Sequence, residues 1–161
     1  MNTESGMKVL SKVSRKWLRK KNKKIVFTNG CFDVLHVGHI HILRESSGLG
    51  DYLIVGLNSD ASVKRIKGDS RPINNQEDRA EILRSLKFVD EVIIFDEDTP
   101  EKLIKNLNPQ ILTKGGDYEK NSIVGADYVQ SIGGEVRIIP SLPNKSSSSI
   151  IQKIAMNLRK I

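Results

Sequence analysis

The chain has one cysteine, Cys31, in 161 residues, so no intramolecular disulfide can form and the usual cysteine-based zinc sites are excluded. No apolar run reaches the roughly 18 residues of a membrane-spanning helix, and the basic N-terminus is not followed by the apolar core of a signal peptide. A reducing, cytoplasmic setting with no membrane partner is therefore expected. No internal repeat is visible, and the only low-complexity stretch is Ser146 to Ser149. What remains, 38% hydrophobic and 28% charged, is the composition of an ordinary globular chain long enough for one core.

The formal charge of +7 raises the question of nucleic acid, and its distribution answers it. Residues 1–24 carry nine Lys or Arg against Glu4 alone, a net of +8, which leaves 17 basic and 18 acidic residues in the rest, a net of −1. A near-neutral body does not offer the many distributed phosphate contacts from which nucleic-acid affinity comes, so no nucleic-acid partner is expected. Residues 1–24 read as a basic N-terminal arm or helix with a solvated face, and residues 25–161 as the functional domain. Within the arm, Met7, Leu10, Val13, Trp17 and Leu18 recur at helical spacing.

Beyond the arm, apolar runs of strand length alternate with helical patterns. Strands are expected at Ile25 to Thr28, Tyr52 to Leu57, Glu91 to Phe95, Gln110 to Thr113 and Glu135 to Ile139. Helices are expected near Val37 to Ser47, Ala61 to Ile66, Gln76 to Leu86, Pro100 to Leu107, Ser122 to Ile132 and Ser148 to Leu158. Val- and Ile-rich strands without clean alternation fit a parallel sheet covered on both faces. The expected fold class is therefore α/β, a doubly wound parallel sheet of about five strands. Ligands of such sheets bind beyond the carboxyl ends of the strands, so the residues following each strand draw attention first.

After the first strand comes Asn29-Gly30-Cys31-Phe32-Asp33-Val34-Leu35-His36-Val37-Gly38-His39. A helix start presents unpaired N–H groups and a positive dipole end, which favours an anion there, and Gly38 removes a side chain that would block its approach. Gly30 lets the turn after the strand tighten. His36 and His39, three apart, can point into one space and donate ring N–H groups to a phosphate. His41, further along, reads as a packing or surface residue. A metal site of His36, His39 and Asp33 is disfavoured because no further ligand stands at a familiar spacing.

Gly30-Cys31-Phe32-Asp33 followed by His36-Val37-Gly38-His39 resembles the signature of the cytidylyltransferase-like nucleotidyltransferases, whose HxGH motif binds the nucleotide triphosphate. With Asp60 to Gly68, Arg71-Pro72-Ile73-Asn74 and Lys114-Gly115-Gly116-Asp117-Tyr118 in order, residues 25 to about 155 are similar to the adenylyltransferase domain of the bacterial enzymes that make ADP-heptose from D-glycero-β-D-manno-heptose 1-phosphate. The resemblance implies a Rossmann-like nucleotidyltransferase fold and adenylyl transfer from ATP by direct in-line attack. It implies catalytic roles for His36, His39 and Lys64. From composition alone, Lys64, Arg65 and Lys67 could equally form a solvated face.

Nucleotide-binding candidates are Asn29, Gly30, Cys31, Phe32, Asp33, Gly38, Asn58, Lys114, Gly116, Asp117, Ser146, Ser147 and Ser148. Asp33 is also a candidate for the acceptor, as are Arg71 and Arg79, whose guanidinium groups suit bidentate phosphate contacts. Mg²⁺ is expected to travel on the ATP phosphates with no protein metal site. The expected partners are ATP and a sugar 1-phosphate, and the family further implies a homodimer. Because only the basic arm precedes the domain, a separate sugar kinase is expected. HxGH alone leaves open cytidylyl transfer to glycerol 3-phosphate and adenylyl transfer to FMN, and a nucleotide-binding regulator without turnover is the non-enzymatic alternative.

Overall fold

A computed structural model describes residues 22–116, 119 and 122–159. The helix expected over Met7 to Leu18 lies outside the described residues, as does Asp117. The elements run β1 (Ile25–Gly30), α1 (Val37–Ser47), β2 (Tyr52–Asn58), α2 (Asp60–Lys67), α3 (Gln76–Arg84), β3 (Glu91–Phe95), α4 (Glu101–Leu107), β4 (Ile111–Gly115), α5 (Ala126–Ser131), β5 (Glu135–Ile139) and α6 (Ser147–Leu158). The five strands form one parallel sheet in the order β3-β2-β1-β4-β5. The chain thus winds outward from β1 to β3 and then returns to lay β4 against the other side of β1. This reversal is the topological switch point at which such sheets open a crevice.

Neighbouring side chains on each strand fall into different cores. Phe27, Ile54, Ile93 and Leu112 pack with Leu103, Ile104 and Leu107 of α4 and Val129 of α5. Val26, Leu53, Val55 and Ile111 pack with Leu43 of α1 and with Ala80 and Leu83 of α3 on the opposite face. All seven residues of β2 are buried, which is why its sequence shows no alternation. Each fully buried side chain of this size stabilises the fold by roughly 1.5–3 kcal/mol relative to exposure.

Local chemistry sets the helix starts near the site. Ser59 caps α2 by accepting from Ser62 N–H, Asn75 caps α3 by accepting from Asp78 N–H, and Ser146 caps α6 by accepting from Ser149 N–H. The helix expected from Ser122 is shorter: Gly125 sits at φ 86°, outside helical space, and α5 begins only after it. Three strands run past their expected ends, β2 by Asn58 alone and β1 and β4 by two residues each. Asn29 and Gly30 continue the ladder of β1, opposite Gly56 and Leu57, and Lys114 and Gly115 continue β4, opposite Ile138 and Ile139. Side chains assigned to loops are therefore held by the sheet itself. No described helix is long and apolar enough to cross a membrane.

Candidate active site

The carboxyl ends of β1 and β4, the N-termini of α1 and α6 and the last turn of α2 surround three adjoining hollows. One of about 230 Å³ lies between α1 and α6. A second of about 290 Å³ lies over β1 and β4. The third, about 430 Å³, extends towards Asp98 to Pro100 and Ser122 to Val124. Lys67 lines all three.

His36 is the N-cap of α1, and its Nδ1 accepts from Gly38 N–H at 3.1 Å, which places the proton of the neutral ring on Nε2. The rings of His36 and His39 stack with centroids 3.8 Å apart, and Phe32 meets His39 edge-on at 5.2 Å. Burial, then His36 and Lys67, push the His39 pKa down to about 4. Burial and the Lys145 ammonium also lower that of His36. Both rings are therefore neutral near pH 7, each with one N–H to give. His39 Nδ1 is buried and has no hydrogen-bond partner among the described residues.

Gly38 serves the site differently from the expectation that it clears a path for an anion. A Cβ there would lie 2.9 Å from His36 Cε1 and Nδ1, so the missing side chain makes room for the His36 ring that caps the helix. Ser146, Ser147 and Ser148 fix their register at the start of α6: Ser146 is the N-cap, and Ser147 Oγ donates to Val34 O at 3.1 Å. The N-termini of two helices, α1 and α6, thus face one hollow together with His36, His39, Lys67 and Lys145, and none of its described lining residues is a carboxylate. Dipoles and cations sum there to a field that favours a polyanion.

Asn29, Gly30, Cys31 and Lys114 line the two larger hollows, and Phe32 and Asp33 line the one over β1 and β4. Lys114 Nζ lies 3.5 Å from Asn29 Oδ1, and burial lowers its pKa, as expected for an ammonium drawn into the sheet. Asn58 is buried at the end of β2, gives Nδ2 to Ser62 Oγ and borders the largest hollow. Gly116 directly follows β4 with φ 128°.

Not all of the expected site residues meet in these hollows with their polar groups free. Lys64 lies one turn before Lys67, is exposed and lines none of the hollows; the last turn of α2 brings Lys67 to them instead. The Arg79 side chain is fully buried and its nitrogens are committed: Nε to Asn74 O, Nη1 to Cys31 O and Asn58 O, Nη2 to Asp60 Oδ1. It ties the ends of β1 and β2 to the loop before α3 and has no face left for a sugar phosphate. Arg71 donates from Nε to Asp33 Oδ2 at 2.5 Å, and Asp33 also accepts from the N–H groups of Ile73 and Asn74. Burial opposes ionisation of Asp33, but those two N–H groups and the guanidinium outweigh it and hold its carboxyl below the usual range. The Asp33–Arg71 pair therefore fastens the 71–74 loop to the floor of the site.

Sequence reasoning did not single out Lys145, Asp98, Thr99 or Ser122, which come from loops without motif character. A lysine directly before a serine-capped helix is a signal that would have pointed to Lys145.

Comparison with known proteins agrees with this geometry. The cytidylyltransferase-like family profile matches residues 27–154. The Bifunctional protein HldE of Wolinella succinogenes is 51% identical over 156 residues, covering 94% of this chain and 32% of that protein. That of Nitratiruptor sp. is 56% identical over 137 residues, covering 85% and 29%. The chain thus spans about a third of the length of the curated relatives it matches. Among solved structures, a lipopolysaccharide core biosynthesis protein from Thermoplasma volcanium superposes with TM-score 0.62 at 31% identity, covering 77% of this chain and all of that one. With its histidine pair at the mouth of α1 and its profile match across most of its length, this chain belongs to the cytidylyltransferase-like family of nucleotidyltransferases.

Proposed function

We propose that this chain transfers the adenylyl group of ATP to D-glycero-β-D-manno-heptose 1-phosphate, releasing pyrophosphate. The observation that carries the reading is the hollow, with no carboxylate among its described lining residues, on which two helix N-termini, two neutral histidines, Lys67 and Lys145 converge. A phosphate oxygen of the acceptor attacks the α-phosphorus, and the bond from that phosphorus to the bridging oxygen of pyrophosphate breaks in line. The nucleophile is already anionic, so no general base is required. Catalysis then consists of alignment and of stabilising charge on the five-coordinate phosphorus and the leaving group. His36 and His39 donate N–H groups to the triphosphate, and Lys67 and Lys145 neutralise it.

The described residues contain no cluster of three or more His, Cys, Asp or Glu able to hold a metal, and Asp33 is committed to Arg71, Ile73 and Asn74. Mg²⁺ therefore does not fit a protein cage here and is read as part of the Mg·ATP substrate, bound by phosphate oxygens and water. The choice of heptose rests on the resemblance carried by Asp60 to Gly68, Arg71 to Asn74 and Lys114 to Tyr118, and the likeness to a lipopolysaccharide core biosynthesis protein supports it. Its acceptor, a sugar 1-phosphate, has to be supplied by a sugar kinase.

A substrate panel tests the reading. ATP with heptose 1-phosphate and Mg²⁺ should release pyrophosphate well above CTP with glycerol 3-phosphate or ATP with FMN, by a margin that can reach about 10⁴-fold where polar groups are left unpaired. Preference for CTP and glycerol 3-phosphate would overturn the named substrate. ATP binding without turnover on any acceptor would favour a regulator.

A further inference from the structure

The largest of the three hollows adjoins the triphosphate site described above and extends beyond it. It shares Lys67 with the hollow between the two helix N-termini, and Asn29, Gly30, Cys31, Lys67 and Lys114 with the hollow over β1 and β4. Asp98, Thr99 and Ser122 line it and neither of the other two. An acceptor whose phosphate sits among the shared residues, at Lys67 and Lys114, has its remaining atoms in this space. At about 430 Å³ it is the roomiest of the three and falls within the usual range for small-molecule sites.

The lining describes the chemistry of those atoms. Asp98 Oδ1 accepts from Arg65 Nε at 2.7 Å, which holds the carboxylate from one side while its second oxygen remains an acceptor for hydroxyl groups. Ser122 Oγ donates to Glu119 O at 2.7 Å, so its lone pairs are also turned to acceptor use. Thr99 and Asn58 add a hydroxyl and an amide. A negative charge at Asp98 disfavours a second anionic group in this lobe. Ile66, Pro100, Ile123 and Val124 give aliphatic walls, and none of the described lining residues is aromatic, so that lining offers no stacking surface for a flavin or a base.

We infer that Asp98 and Thr99 of the β3–α4 loop, with Ser122, form the subsite that reads the hydroxyl groups of a polyhydroxylated acceptor carrying a single phosphate, and so determine acceptor specificity. This rests on the adenylyl-transfer reading above.

Steady-state kinetics of Asp98→Ala, Thr99→Val and Ser122→Ala test it, with folding checked by Tm. At saturating ATP, Asp98→Ala should raise KM for heptose 1-phosphate by about tenfold to a hundredfold, the range for hydrogen bonds to a charged group. Its kcat should stay within about threefold and its KM for ATP should not change. Its preference for heptose 1-phosphate over glycerol 1-phosphate should collapse, whereas Asp98→Asn should retain part of it. An unchanged acceptor KM, or an ATP KM rising in parallel, overturns the inference. If the wild-type chain turns over no acceptor, calorimetric titration with heptose 1-phosphate separates the two claims. Binding that Asp98→Ala abolishes sustains the subsite and overturns the transfer reading, and no binding overturns both.

Discussion

Protonating both rings of the His36–His39 stack would place two positive charges about as close as the 3.8 Å between ring centroids, beside Lys67 and Lys145. The site keeps them neutral instead, and in the proposed transfer they are N–H donors whose value grows as charge builds on the phosphorus. His36→Ala and His39→Ala should therefore lower kcat by on the order of 10²-fold while changing KM for ATP much less. A folded His39→Ala enzyme within threefold of wild-type turnover would remove that ring from the mechanism. The same neutrality links His39 to stability. Its folded pKa of about 4 lies below the ordinary 6.5, so the unfolded chain takes up the proton first and stability is lost as pH falls from 6.5 towards 4. Urea midpoints should show a loss of about 2 kcal/mol between pH 8 and pH 5 in wild type and a smaller one in His39→Gln; equal losses in the two proteins would disprove the buried neutral ring. Lys67→Ala should lower kcat about tenfold or more while Lys64→Ala stays within threefold, because only Lys67 lines the hollows. The reverse order in pyrophosphate-release assays would restore Lys64.

At the scale of elements, the site depends on how closely α1 lies on β4. A Cβ on Gly115 would fall 2.2 Å from Ile42 Cδ1, so this glycine allows the helix carrying both histidines to rest against the strand carrying Lys114. Gly115→Ala should destabilise the protein by about 1–3 kcal/mol and reduce turnover, and Ile42→Ala should restore part of both in the double variant. Additive losses in a thermal-melt and activity cycle would mean that the contact does not position α1. The pattern of apolar runs was enough to find all five strands. It stopped short at the ends of β1 and β4, where Asn29, Gly30, Lys114 and Gly115 look like loop residues and are strand only because partners on adjacent strands pair with them. Gly125 ended the pattern of α5 from the other side, since a positive φ has no signature in hydrophobic spacing.

Across the whole molecule, Arg79 shows how the cleft is held. Its buried guanidinium joins the end of β1, the end of β2, the head of α2 and the loop before α3. Arg79→Met should cost roughly 3–5 kcal/mol, because it leaves a carboxylate and three carbonyls without their donor. A chemical-denaturation midpoint like that of wild type would refute the strut. The order of elements, the two-faced burial of the strands and the HxGH segment were determined by sequence, because hydrophobic period and helix-start chemistry are local. Tertiary structure alone decided which charges meet. It committed Arg79 to a buried strut and Asp33 to Arg71 and the 71–74 loop, put Lys67 and not Lys64 on the three hollows, and brought Lys145 and Asp98 from unremarkable loops to the cleft. Those choices depend on where a parallel sheet reverses its strand order and which loop ends it gathers there, a property of the folded chain that residue spacing does not carry.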